Sequence, residues 1–155
     1  MEFDFESLKG IYYEESEENL SSFESILVNF DVSKSDEEEI NTLFRVMHSL
    51  KGGSATFGMF LIDKVAHVAE TLLDQIRSKK LSMSKIHVEK LLQCKDLVES
   101  LIKDYKLGQE TKQADVDEMI VKLNQELIEG TQCVEEEKTD EEDLNSEKLY
   151  EISIE

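Results

Sequence analysis

Proline and tryptophan are missing from this chain, and its 155 residues include only six glycines and two cysteines. The two cysteines, Cys94 and Cys133, have neither metal-ligand spacing nor a disulfide framework around them. No apolar run approaches the roughly 18 residues of a membrane-spanning helix. The N-terminal residues 1–4 include two acids, unlike the basic start of a signal peptide. We therefore expect a soluble cytoplasmic protein with no membrane insertion.

Basic residues are also scarce, because 17 Lys and Arg face 36 Asp and Glu, for a net charge of −19. Nucleic acids and anionic membrane surfaces attract proteins of the opposite charge. The charge balance therefore argues against both as partners.

The hydrophobic periodicity predicts an all-α fold, an antiparallel up-down bundle of about five helices. The predicted helices cover residues 5–30, 37–56, 60–79, 84–107 and 113–129, with Ser35 or Asp36 as one N-cap, Ser84 as another, and Gly108 as a stop. Leu8, Tyr12, Leu20, Phe23, Leu27 and Phe30 form the expected buried side of the first helix. Short loops make successive helices antiparallel neighbours, so helices one to four close a bundle and the fifth packs alongside.

The end of the chain differs in composition from the rest. Residues 131–155 contain ten acids and two lysines, a composition typical of solvated linkers. We predict one folded domain over residues 1–130 and a disordered, acidic C-terminal tail over residues 131–155.

The second predicted helix contains an unusual feature, the adjacent glycines Gly52 and Gly53 in its interior. Each glycine costs about 1 kcal/mol relative to alanine in a helix interior, so a packing or access reason is expected. His48 lies away from the apolar stripe, and helical spacing places Lys51 and Gly52 in the next turn beside it. This turn leaves the imidazole open to a docking partner, as a phosphoryl-accepting histidine requires. Gly53 points more towards the core and fits packing better, whereas Gly52 fits either reason.

The motif His-Ser-Leu-Lys-Gly-Gly-Ser-Ala-Thr-Phe-Gly at residues 48–58 resembles the phosphorylation site of the N-terminal histidine-phosphotransfer (HPt) domain of the chemotaxis histidine kinase CheA. The similarity continues through His-Val-Ala-Glu-Thr-Leu-Leu-Asp at residues 67–74, where that family has His-x-x-Glu followed by an apolar pair and an acid. The strong match covers roughly residues 40–80. The helix pattern extends it to about residue 130.

The resemblance implies a role for each site residue. His48 would be the phosphoacceptor, Glu70 the carboxylate that orients it, and Lys51 the cation near the phosphoryl oxygens. His67 would be a further hydrogen-bonding member of this network. The spacing of Asp63, His67, Glu70 and Asp74 puts them on one polar stripe that can border the His48 face.

The remaining residues of interest have simpler interpretations. We take Phe44 and Phe57 as packing residues and His87 as a surface residue. No phosphate-binding glycine loop and no kinase ATP-binding domain are present, so the chain is expected to be a substrate and carrier of phosphoryl groups and not an enzyme by itself.

The resemblance also implies partners. They are the CheA kinase catalytic domain, which binds ATP and Mg²⁺ and phosphorylates His48, and chemotaxis response regulators, whose receiver aspartate takes the phosphoryl group. No cofactor and no metal are expected in this domain. The parent protein would be a histidine kinase.

Three other functions remain open. The first is a free-standing HPt intermediate of a multi-step phosphorelay. The second is a metal-binding bundle with His48, His67 and Glu70 as ligands, although the duplicated Glu-x-x-His pattern of such sites is missing. The third is a helical scaffold that never carries phosphate.

Overall fold

A computed structural model describes residues 4–109 and 112–127 of the chain. Five helices follow one another: α1 (Phe5–Val28), α2 (Glu37–Thr56), α3 (Phe60–Arg77), α4 (Lys85–Lys106) and α5 (Gln113–Asn124). The predicted all-α bundle is confirmed. The predicted tail, Cys133 and the domain boundary at residue 130 lie outside the described residues.

Helices α1 to α4 close into a bundle in which each helix contacts the next and α1 also contacts α4, while α5 packs against α3 and α4. The most extensive contact joins α2 and α3. His48 on α2 and Glu70 on α3 therefore belong to the two helices with the most extensive contact.

Large apolar side chains fill the space between the helices. The largest of those within the helices, each under 2% exposed, are Phe23, Leu20, Leu27, Leu43, Met47, Leu50, Ile62, Leu72, Leu73, Leu91 and Leu101. Their spacing along each helix matches the apolar stripes of the sequence.

Local signals set the helix ends. Asp36 caps α2 by accepting hydrogen bonds from the backbone N–H groups of Glu38 and Glu39. Gly108, just beyond α4, has a φ of +74°, which glycine adopts without steric cost. Three predicted ends were too late, because α1 ends at Val28, α3 at Arg77 and α5 at Asn124.

Two predictions of burial were wrong. Leu8, expected in the core, is 39% exposed. His87, expected on the surface, is 5% exposed. It forms a capping box with Ser84, whose hydroxyl accepts from the His87 backbone N–H at 3.3 Å while His87 Nδ1 accepts from the Ser84 backbone N–H at 3.0 Å.

The packing of α5 explains the burial of His87. Glu126, just after α5, brings its Oε1 to 3.5 Å from His87 Nε2. Burial lowers the pKa of His87, and the nearby Glu126 carboxylate only partly opposes this.

Candidate functional site

His48 lies on the outer face of α2, and its side chain is 64% exposed. Its neighbours Met47 and Leu50 are fully buried, with 0% and 1% exposure. Because these two side chains anchor α2 in the core, the helix presents His48 to solvent at a defined position. The predicted phosphoacceptor is thus accessible to a large partner.

Glu70 on α3 reaches across the helix pair to His48. Its Oε2 forms a short hydrogen bond with His48 Nδ1. An ionised carboxylate can only accept, so Nδ1 carries the proton that is shared. In the neutral imidazole the other nitrogen, Nε2, then keeps its lone pair. That tautomer follows from the hydrogen bond and leaves Nε2 as the nucleophilic atom.

Lys51 binds the same carboxylate from the opposite side. Its ammonium lies 2.5 Å from Glu70 Oε1, so each carboxylate oxygen has its own partner on α2. The Glu70 side chain is only 11% exposed. Burial by itself would raise the pKa of Glu70, but the hydrogen bonds from Lys51 and His48 outweigh it and lower that pKa below its ordinary value. Glu70 is therefore held as a carboxylate, the form that orients an imidazole.

The two glycines of α2 have different surroundings. A Cβ at Gly53 would lie 2.1 Å from Cε1 of the buried Tyr12 ring, whereas a Cβ at Gly52 would meet nothing within 4 Å. Gly53 therefore lets α1 pack closely against α2. Gly52 lies in open space one turn after His48, as the access interpretation requires.

His67 is the one predicted site residue that the structure does not join to the others. It lies on α3 one turn before Glu70 and is exposed. Among the described residues its imidazole forms no hydrogen bond or ion pair. The Glu70 carboxylate is shared by His48 and Lys51. The role of His67 in the network stays a prediction.

Phe44 and Arg77 adjoin the site in a way that the sequence analysis missed. The Phe44 ring stacks on the His48 imidazole with centroids 5.9 Å apart and planes at 14°. The Arg77 guanidinium carbon lies 4.0 Å from the Phe44 ring centroid. The position of Phe44 four residues before His48 was the available signal, since residues at this spacing are neighbours on a helix.

Residues 4–109 and 112–127 contain no group of three or more His, Cys, Asp or Glu side chains arranged to hold a metal ion. Within those ranges no helix combines the length and apolar character needed to cross a bilayer. Cys94 is buried, and burial raises the pKa of its thiol to about 12.

Known proteins include relatives of this chain. The family model described as the Hpt domain matches residues 7–104. The chemotaxis protein CheA of Klebsiella aerogenes is 30% identical over 132 residues, which cover 85% of this chain and 20% of that protein. The CheA of Rhizobium meliloti is 36% identical over 98 residues, covering 63% of this chain and 13% of that protein. The chain thus spans a fifth or less of the length of these relatives.

A solved structure has the same fold. It is the phosphorylated P1 domain of CheA3 in complex with CheY6 from R. sphaeroides, with a TM-score of 0.68 and 20% identity over 75% of this chain and 91% of that one. At this identity the likeness concerns the arrangement of the helices alone.

Proposed function

The chain belongs to the Hpt domain family, and on that premise we propose that His48 carries a phosphoryl group between two proteins of a chemotaxis signalling pathway. The observation that carries the proposal is the hydrogen bond from His48 Nδ1 to Glu70 on an imidazole whose side chain is 64% exposed. It combines a fixed tautomer with an open approach to the other nitrogen.

The donor in this proposal is ATP, held with Mg²⁺ by a CheA-type kinase domain. The lone pair of Nε2 attacks the γ-phosphorus, the N–P bond forms, and the bond to the β,γ-bridging oxygen breaks as ADP leaves. Nδ1 keeps its proton. The ring then carries a positive charge, which the Glu70 carboxylate stabilises at hydrogen-bond distance.

The acceptor is an aspartate of a response regulator. Its carboxylate oxygen attacks the phosphorus, the N–P bond breaks, and the electron pair returns to Nε2 as a neutral imidazole. Lys51 contributes a cation one turn from His48, and we propose that it moves from Glu70 towards the phosphoryl oxygens when they are present. This domain needs no metal or cofactor of its own in either step, since the kinase and the receiver supply Mg²⁺.

The relatives are CheA proteins, and this chain matches only a part of each of them. This supports the proposal that the chain is one domain of a CheA-like histidine kinase. The relative crystallised with CheY6 supports a response regulator as the acceptor. We propose the cytoplasm as the location, since ATP is available there. A free-standing HPt protein is the alternative.

The test is phosphorylation of the purified chain by a CheA kinase domain with ATP and Mg²⁺. We expect acid-labile, alkali-stable label on His48, mapped by mass spectrometry, and loss of the label when a receiver domain is added. His48→Gln should abolish the label, whereas His67→Gln should keep it on His48. No label on the wild-type chain, from a kinase that phosphorylates its own substrate, would refute the proposal.

A further inference from the structure

The Phe44 ring lies against His48 from one turn earlier on α2. The ring centroids are 5.9 Å apart and the planes differ by only 14°. Nearly parallel rings at this separation have the offset-stacked geometry that aromatic pairs favour. This contact is independent of the hydrogen bond to Glu70, because it meets the face of the imidazole and not its edge.

One hydrogen bond does not fix the plane of a ring. Glu70 holds Nδ1, but the imidazole can still turn about its Cβ–Cγ bond, which moves Nδ1 away from the carboxylate and changes the direction of Nε2 at the same time. Such a rotation would swing Nε2 away from the direction in which a phosphoryl donor approaches. The His48 side chain is 64% exposed, so few neighbours oppose the rotation. A flat side chain parallel to the imidazole does oppose it, since turning the ring would lose the stacked contact.

Arg77 in turn holds Phe44. The guanidinium carbon lies 4.0 Å from the centroid of the Phe44 ring, within the range of a cation–π contact. The Asp74 carboxylate accepts a hydrogen bond from Arg77 at 2.7 Å, which limits the motion of the arginine.

These contacts give α3 two ways to hold the histidine. Glu70 and Arg77 are seven residues apart, which is close to two helical turns, so both lie on the face of α3 that meets α2 near the site. Glu70 acts directly on Nδ1, and Arg77 acts through the Phe44 ring.

We propose that Phe44 and Arg77 are positioning residues that fix the plane of the His48 imidazole. The inference rests on the proposed function, because it assigns a part in the same phosphoryl transfer. It concerns the acceptor ring itself, so the effect on the rate should appear with any donor, including one too small to contact a docking surface.

The test therefore uses phosphoramidate, a small donor, on the full chain. In this reaction the Nε2–P bond forms as the donor's P–N bond breaks, and ammonia leaves. We expect Phe44→Leu to slow phosphorylation of His48 about three- to tenfold, since an aromatic pair contributes about that factor. Phe44→Tyr, which keeps the ring, should retain the wild-type rate. Arg77→Met, which keeps the side-chain length without the guanidinium, should fall between the two.

A second readout does not depend on phosphorylation. Imidazole ¹⁵N chemical shifts of His48 report the fraction of rings with the proton on Nδ1. We expect a single dominant tautomer in the wild type, and a mixture in Phe44→Leu as the ring leaves Glu70 part of the time. Phe60→Leu is the matched control, because Phe60 on α3 is 62% exposed and its ring stacks on no other described aromatic ring.

The outcomes separate the two proposals. If Phe44→Leu and Arg77→Met both match the wild type in rate and tautomer while His48 is labelled, the positioning role is wrong. If Phe44→Leu does not fold, Arg77→Met decides, since it leaves the Phe44 ring in place. If wild-type His48 accepts no phosphoryl group from phosphoramidate or the kinase, the proposed function fails, and the tautomer comparison still tests the positioning.

Discussion

Tyr12 on α1 and Gly53 on α2 are in such close contact that a methyl group at position 53 would lie 2.1 Å from Cε1 of the tyrosine ring. The Tyr12 hydroxyl donates a hydrogen bond to the Leu50 carbonyl at 3.0 Å, which holds the ring in place. Burial raises the pKa of Tyr12 to about 12. The missing side chain at Gly53 thus sets how closely α1 packs against the helix that carries His48.

This contact predicts opposite effects for two neighbouring substitutions. Gly53→Ala should destabilise the fold by about 1–3 kcal/mol, because the new methyl group overpacks against a fixed ring. Gly52→Ala, in open space on the same helix, should raise the free energy of unfolding by up to about 1 kcal/mol through helix propensity. Urea unfolding of both variants tests the prediction. Equal effects of the two substitutions would contradict the assigned packing.

Glu70→Gln should slow phosphoryl transfer to His48 without unfolding the bundle. A hydrogen bond to a charged group contributes about 1.5–3 kcal/mol, so the rate should fall roughly 10- to 100-fold. Glu70→Ala should have at least as large an effect. The rates are measured with the kinase domain and ATP, and circular dichroism checks the helix content. The control is Glu89→Gln, at an exposed glutamate of α4. If Glu70→Gln were phosphorylated as fast as the wild type, Glu70 would have no part in the mechanism.

The lowered pKa of Glu70 predicts how stability depends on pH. The hydrogen bonds from Lys51 and His48 hold this pKa below its ordinary value of 4.5 in the folded state, against the effect of burial. A carboxyl group whose pKa is lowered by folding stabilises the folded state at pH values above its ordinary pKa. This stabilisation is lost as the pH falls through the pKa of the folded state.

The measurement compares the wild type with Glu70→Gln, since many other acids titrate in the same range. The wild type should be the more stable protein at about pH 5, and the difference in unfolding free energy should shrink as the pH falls towards about 3. A difference that grew on acidification would reverse the sign of the shift and contradict the assigned ion pair.

The order of the helices was predictable because its causes are local. Apolar side chains at intervals of three and four residues indicate helices, and Asp36, Ser84 and Gly108 mark ends through hydrogen bonds and backbone angles within a few residues. The least accurate bound was the end of α5, and the ends of α1 and α3 were also placed too late, because the periodic pattern runs past the last helical residue.

The wrong prediction for His87 has a non-local cause. His87 is buried because Glu126 and the end of α5 pack over the start of α4, and nothing in the residues around His87 indicates that contact. Phe44 was correctly expected to pack against the core. Its second contact, with His48, depends on a side-chain direction that helical spacing permits but does not require.

The sequence by itself determined the helices, the exposed face on which His48 lies, and the family to which the motif around it belongs. These follow from periodicity, capping and the identity of neighbouring residues, all of which act over short distances along the chain. Only the tertiary structure decided that Glu70 divides its two oxygens between His48 and Lys51, that Nε2 keeps the lone pair, and that Gly53 lies against Tyr12. Each of these depends on the register of one helix against another, which the interlocking of distant side chains in the core sets.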